Sequence, residues 1–269
     1  EIMLKTKGLI EEEGYQVIYG DTDSIFVWLN LKNDSDEIDQ IGEYLVEKVN
    51  NWWKEFLYTE LQLTSALELE YESHYTRFLM PTIRGSNEGT KKRYAGMICS
   101  PEFDAAQPQT GTYSLVFKGL ETVRTDWTQL ARELQKELYD RVFLNKEYKS
   151  YIRALITDLK VGLLDDKLVY RKRLRRRLNE YQKNIPPHVQ AAKKADAWLV
   201  GRGDKPRYQK GGWIAYCYTV NGPEPIENLQ SALDYELYVE RQIAPVVEGV
   251  VMFLGTSFEE ITSSQMNLL

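Results

Sequence analysis

Residues 17–28 read "VIYGDTDSIFVW", two short apolar runs around a polar stretch that holds two aspartates one residue apart. Val17–Tyr19 and Ile25–Trp28 have the composition of strands and Gly20–Ser24 that of a turn, so the spacing predicts a β-hairpin with acids at its tip. Residues two apart on a strand face the same side, which would present Asp21 and Asp23 together. Like charges so placed repel unless a cation sits beside them. Two carboxylates that leave room for water and phosphate oxygens suit Mg²⁺ better than a closed protein cage does. The blander alternative is turn chemistry alone, because Asp and Ser close turns by bonding nearby backbone. A calcium EF-loop is excluded, since it needs a further oxygen ligand and then glycine where this chain has Ile25 and Phe26. A nucleotide-sugar transferase also uses an Asp-x-Asp pair, but its usual surroundings do not include the basic segment found further along.

The flanks of the hairpin give the fold class. Residues 1–13 read as the end of a helix stopped by Gly14. From Glu37 to Leu61, Ile38, Ile41, Leu45, Val49, Trp52, Trp53 and Phe56 recur at helical spacing, which predicts an amphipathic helix with the Trp pair in the core. Leu67, Leu69 and Tyr71 alternate with Glu68, Glu70 and Glu72 in the period of a strand, and "KKRYAGMI" and "TYSLVFKGL" predict further strands around the loop "SPEFDAAQPQTG". After Lys118 the texture becomes helical, broken by a short β element, "GGWIAYCYTV". The expected class is α+β: a mixed or antiparallel sheet with packed helices in residues 1–126, then a mainly helical domain, 127–269, with a short β element.

With 269 residues and 43% hydrophobic side chains, the chain can bury a sizeable core in two units. Cys99 and Cys217 are too few for a disulfide framework or a zinc cluster. No apolar run reaches about 18 residues and the N-terminus has no signal-peptide pattern, so a cytoplasmic protein is expected. The missing initiator Met suggests a segment of something longer.

The net charge of -6 conceals a division. Glu1 to Met80 holds 17 acidic and 6 basic residues, whereas Lys167 to Lys194 holds 10 basic residues and one acid, Glu180. Arg171, Lys172, Arg173, Arg175, Arg176 and Arg177 lie in "VYRKRLRRRL", with Lys183 and His188 following. Such a run can be a solvated surface. Leu174 and Leu178, four apart, predict instead an ordered helix, and Tyr181, Pro186 and Pro187 a defined turn. An ordered basic face suits a phosphate backbone.

"YGDTDS", "KKRYAG" about seventy residues later, "KGLETVRTDW" and "YRKRLRR…EYQKNIPPHVQAA" follow one another as in family B DNA polymerases, and the whole chain resembles the C-terminal third of a bacterial member, the later palm and the thumb. The resemblance implies template-directed addition of deoxynucleotides to a primer 3′ end by two-metal phosphoryl transfer. Asp23 matches the direct ligand of the paired Mg²⁺ ions and Asp21 its less direct neighbour, with Tyr19, Thr22 and Glu70 close by. Lys91, Lys92, Arg93 and Tyr94 match the element that touches the primer end, and Lys118 and Arg124 the passage into the thumb. Arg171 to His188, including Tyr181, match thumb segments lying on the duplex. Primer–template DNA, a deoxynucleoside triphosphate and a processivity clamp are the implied partners, in the bacterial cytoplasm. The earlier palm motif with its first metal-binding Asp is not among these residues, so the chain alone is expected to be inactive. A stand-alone duplex-binding module without chemistry is the alternative reading.

Overall fold

The computed structural model describes residues 1–31, 35–81, 92–107 and 110–263. They fall into two compact units, Glu1–Val116 and Phe117–Leu269. Asp126, the expected boundary, lies inside the second.

In the first unit, helix α1 (Ile2–Glu12) ends at Gly14, whose φ of 89° gives the chain the left-handed step into strand β1 (Gln16–Asp21). Strand β2 (Ser24–Trp28) returns antiparallel through Thr22 and Asp23. Helix α2 (Ser35–Leu61) carries the predicted apolar stripe. Leu45, Val49 and Trp53 from that stripe pack with Leu9 and Ile10 of α1 and Val17 of β1, and half-buried Trp52 joins them. The buried Trp53 Nε1–H donates to Thr6 Oγ1 at 3.0 Å, so the one polar atom of that indole is satisfied inside the core.

The segment around Leu67–Glu72 keeps its alternation, with Leu67, Leu69 and Tyr71 half-buried and the three glutamates exposed. It is nevertheless not a strand. Asn50 of α2 takes the place of a ladder partner: its Oδ1 accepts from Leu69 N–H at 2.7 Å and its Nδ2 donates to Leu69 C=O at 2.9 Å. Period-2 burial needs only an extended chain over an apolar surface; a strand also needs a neighbouring backbone. Strand β3 comes later and is short (Arg77–Leu79); it pairs antiparallel with β4 (Tyr94–Cys99), and β5 (Tyr113–Lys118) completes a three-stranded sheet in the order β3-β4-β5. The hairpin forms a separate two-stranded sheet.

The second unit is helical around a small sheet, as expected. Helix α3 (Gln129–Phe143) is capped by Thr128, whose Oγ1 accepts from Ala131 N–H at 3.3 Å, and α4 (Lys149–Lys160) follows. The basic segment departs from the helix its Leu174/Leu178 spacing predicts. Tyr170–Leu174 is strand β6, Arg175–Arg177 is an irregular connection with a bend at Arg176, and Leu178–Glu180 is a single 3₁₀ turn. Both leucines are buried in one cluster, so the spacing correctly reports a shared core. It misreports the backbone because β6 pairs with β7 (Gly212–Thr219), some forty residues away and invisible to local periodicity.

Between β6 and β7 lies α5 (Pro187–Gly201), begun by a proline at the position where the missing N–H costs nothing. Ala191, Ala192 and Ala195 bring α5 close to Leu174, Ile214 and Tyr216. Strand β8 (Gly222–Pro225) closes the sheet in the order β6-β7-β8, which makes β6 an edge. The chain ends in α6 (Tyr235–Tyr238), a π turn over Val239–Ile243, α7 (Ala244–Val251) and α8 (Phe258–Ser263). Pro245 accounts for the π turn, since it has no N–H to donate four residues back to Arg241. The turn places buried Gln242 so that its Oε1 accepts from Thr128 Oγ1–H at 2.8 Å and Thr128 N–H at 3.3 Å, satisfying the start of α3.

Candidate functional site

The hairpin builds the site through an irregularity in its register. Val17 pairs with Val27, but the next pair is Tyr19 with Phe26, leaving Ile18 as an extra residue. Without it Val17 and Tyr19 would share a face. With it Val17 and Val27 face the helices, while Tyr19 and Phe26 turn to the other side. Phe26 is the centre of an aromatic cluster there, 5.5 Å from Tyr19, 5.0 Å from Phe78 and 5.1 Å from Tyr94, ring centre to ring centre, with Tyr75 beside it. The cluster packs the hairpin on β3 and β4. Tyr94, expected to touch DNA, is half-buried in this cluster, and burial pushes its hydroxyl up to about 12. The ring of Tyr75 lies directly over Gly96, where a Cβ would collide with it.

Asp21, two residues after Tyr19, shares its face. Lys92 meets both: its N–H donates to Tyr19 Oη at 2.7 Å and its Nζ is 3.4 Å from Asp21 Oδ2. Lys92 adopts φ 62°, a conformation disfavoured for a residue with a side chain, and the Tyr19 hydroxyl holds it there. "YGDTDS" and "KKRY", separated by seventy residues, therefore converge. Lys91 lies outside the described residues; Arg93 is half-buried.

The two aspartates are not equivalent. Asp21 Oδ1 accepts from Thr22 N–H at 2.7 Å and Thr22 Oγ1–H at 3.2 Å, and these bonds, then Lys92, hold its carboxyl below the usual range. Asp21 therefore does the turn chemistry that the blander reading assigns to the motif. Asp23 is exposed and, among the described residues, accepts a hydrogen bond only from its neighbour Ser24, at 3.3 Å. Glu70 is exposed on the segment that Asn50 pins to α2. Among the described residues no group of three or more His, Cys, Asp or Glu gathers as a metal-binding cluster.

In the second unit Arg171, Lys172 and Arg173 are exposed on the edge strand, and Arg175, Arg176, Arg177 and Lys183 are exposed beyond it. The connection over Arg175–Arg177 is held in place: Arg176 N–H donates to Tyr181 Oη at 3.2 Å, and Leu178 N–H to Gln209 C=O at 3.3 Å. Tyr181, half-buried, thus orders the arginines rather than standing free. Among the described residues Arg171, Arg173, Arg175, Arg176, Arg177 and Lys183 have no acidic partner, whereas Lys172 Nζ lies 3.8 Å from Asp126. Asp126 also takes a two-pronged contact from Arg124, at 3.1 and 2.9 Å. Sequence reasoning missed Asp126, which sits inside "KGLETVRTDW" and neutralises part of this surface. Lys118 is exposed at the end of β5. His188 opens α5, and burial, helped by nearby Lys172, lowers its pKa.

The family model of DNA polymerase family B matches residues 3–253. DNA polymerase II of Escherichia coli K12 is 53% identical over 268 residues, covering all of this chain and 33% of that protein. The DNA polymerase alpha catalytic subunit of Drosophila melanogaster is 28% identical over 97% of the chain and 14% of its own length. The solved family B DNA polymerase of Pyrobaculum calidifontis superposes with a TM-score of 0.57 at 25% identity, over 95% of this chain and 29% of that one. The chain spans about a third or less of the length of these relatives. No helix among the described residues is long and apolar enough to cross a membrane.

Proposed function

The chain belongs to DNA polymerase family B, and from that premise we propose that it is the part of a template-directed DNA polymerase that holds primer–template DNA and presents two acids to the reacting phosphate. The first unit takes the role of the later palm and the second that of the thumb. The observation that carries this reading is the division of labour at the hairpin tip, where Thr22 and Lys92 engage Asp21 while Asp23 keeps an exposed carboxylate.

The donor set suits Mg²⁺ in kind, being hard carboxylate oxygen, and is partial in number. Asp23, with Asp21 behind it, would hold the metal, whose chemistry is to lower the pKa of the primer 3′-hydroxyl and to neutralise charge on the deoxynucleotide's phosphates. What the chain's own residues do is positional. The aromatic cluster fixes the hairpin, the Tyr19 hydroxyl fixes Lys92, and the Lys92 ammonium is left beside the acids, where a primer phosphate can meet it. The six arginine and lysine side chains of this segment that have no acidic partner among the described residues suit the duplex backbone, whose charge is the same for every sequence. Two acids are fewer than a two-metal site needs, so the 269 residues alone should bind primed duplex without extending it.

The test is Asp23→Asn in the intact polymerase, read by primer extension and by duplex binding. The carboxylate acts mainly on the transition state, so turnover should fall by orders of magnitude while the Kd for primed DNA stays nearly constant. Near-normal turnover would remove Asp23 from the site.

A further inference from the structure

Trp213 has no part in the contacts described above. It is 65% exposed, the most solvent-facing tryptophan among the described residues. In the antiparallel register it pairs directly with Arg173 of β6, while Ala215, the next residue on the same face, pairs with Arg171. Directly opposed residues share a face. The other face of these strands, Tyr170, Leu174, Ile214 and Tyr216, is covered by α5. The result is an open sheet corner bearing one indole and two arginines.

Two features separate this arrangement from an accidental surface tryptophan. First, the indole is unclaimed. Trp52 is covered by Lys5 and Trp198 by Arg202, but Trp213 makes no ring–ring or cation–ring contact among the described residues, although two arginines stand beside it. Second, its mounting is rigid. Buried Asp196 accepts from the N–H groups of Arg207 and Tyr208 at 2.7 and 2.9 Å and from Gln209 Nε2 at 3.2 Å, anchoring the loop that leads into β7. Gly211 follows at φ 93°, where a Cβ would press on the Leu174 carbonyl, so the loop lies tightly against the end of β6.

We propose that Trp213 is a DNA-contacting residue that lays its ring on the deoxyribose surface of a duplex strand, beside phosphates taken by Arg171 and Arg173. The inference rests on the reading of this surface as a duplex-binding one. Charge complementarity names the occupant, because two arginines on the adjoining strand, without acidic partners among the described residues, make the corner hostile to a basic or purely apolar partner and favourable to a polyanion. Paired bases have their faces stacked inside the helix, so the apolar surface a duplex offers between phosphates is the sugar. Such a contact is blind to sequence.

The experiment compares the chain with Trp213→Ala, Trp213→Phe and Arg173→Ala variants, titrating labelled duplex and single strands of equal length at several salt concentrations. Loss of the uncharged indole should weaken duplex binding about tenfold, from burial of one ring face, and leave the salt slope unchanged. Phenylalanine should restore part of the loss. Arg173→Ala should instead flatten the slope. Duplex addition should quench tryptophan emission, and the quench should shrink in Trp213→Phe. Unchanged duplex affinity in Trp213→Ala, with Arg173→Ala still weakening binding, overturns the inference and spares the duplex surface. A larger loss on single strands than on duplex also overturns it, in favour of base stacking. If neither Arg173→Ala nor Trp213→Ala affects binding, the duplex surface itself fails.

Discussion

Replacing Arg173, Arg175 and Arg176 together by alanine is the sharpest test of the basic surface, because the structure shows what each substitution leaves intact. Arg173 is paired in the sheet through its backbone, and Arg176 bonds to Tyr181 through its own N–H. Truncation therefore removes three exposed side chains without unpairing either contact. None of the three has an acidic partner among the described residues, so each is free to neutralise a phosphate. Every phosphate neutralised contributes about 0.9 to the slope of log affinity against log salt, so the triple variant should flatten that slope by up to about 2.7. Between 50 and 200 mM salt the native chain should then lose roughly 40-fold more affinity than the variant. Lys172→Ala should do less than one full unit, since its ammonium already faces Asp126. The assay is fluorescence anisotropy of a labelled duplex in two unrelated sequences, with circular dichroism confirming the fold. An unchanged slope in folded protein returns the segment to a solvated surface, and a loss confined to one sequence refutes the backbone reading.

Four further outcomes follow from the geometry. In the intact polymerase, Lys92→Ala with Lys91→Ala should lower extension from a primer end more than overall duplex affinity, and equal losses on primed and blunt duplex would count against a role at the primer end. Tyr19→Phe removes the bond that holds Lys92 N–H, which should cost about 1 kcal/mol in urea denaturation and reduce extension with Asp21 and Asp23 untouched. Gly96→Ala forces a methyl into the Tyr75 ring and should destabilise by about 1–3 kcal/mol. His188 should titrate below the ordinary imidazole range, and Lys172→Ala should raise its pKa only partway, because burial is the larger cause. Being depressed on folding, that pKa makes His188 favour the folded state above the ordinary imidazole range and lose that contribution as pH falls through the folded value. Proton NMR of the imidazoles can follow it, since the chain has only two histidines.

What could be read from the sequence divides by the range of the interaction responsible. The hairpin, α2, α3 and α4 each announce themselves within one window, the hairpin by strand composition on either side of a turn and the helices by apolar residues recurring three or four apart. The two misread segments each have a correct burial pattern and a backbone partner far off. Leu67–Tyr71 alternates as a strand does, yet its partner is the amide of Asn50. Leu174 and Leu178 share a core at helical spacing, yet β7 claims the backbone between Tyr170 and Leu174. Periodicity reports which side of a chain is wet; it is silent on what the N–H and C=O groups bond to.

The same limit explains the candidate site. "YGDTDS" gives the acids and "KKRY" the cations, but that they meet depends on the extra residue at Ile18, which turns Tyr19 and Asp21 away from the helices and toward Lys92. A bulge of one residue leaves no periodic trace in a strand as short as β1. Nor does spacing tell Asp21 from Asp23: each reads as a turn former and a ligand, and only the Thr22 and Lys92 contacts assign the turn to the first and leave the second exposed. On that assignment, Asp21→Asn in the intact polymerase should be the milder change. The amide keeps an oxygen for Thr22 N–H and gives up its charge to Lys92, so the hairpin should persist and extension should fall less than in Asp23→Asn. Equal losses in the two variants would mean that the Asp21 charge acts on the substrate as directly as that of Asp23, and the division of labour at the tip would have to be abandoned.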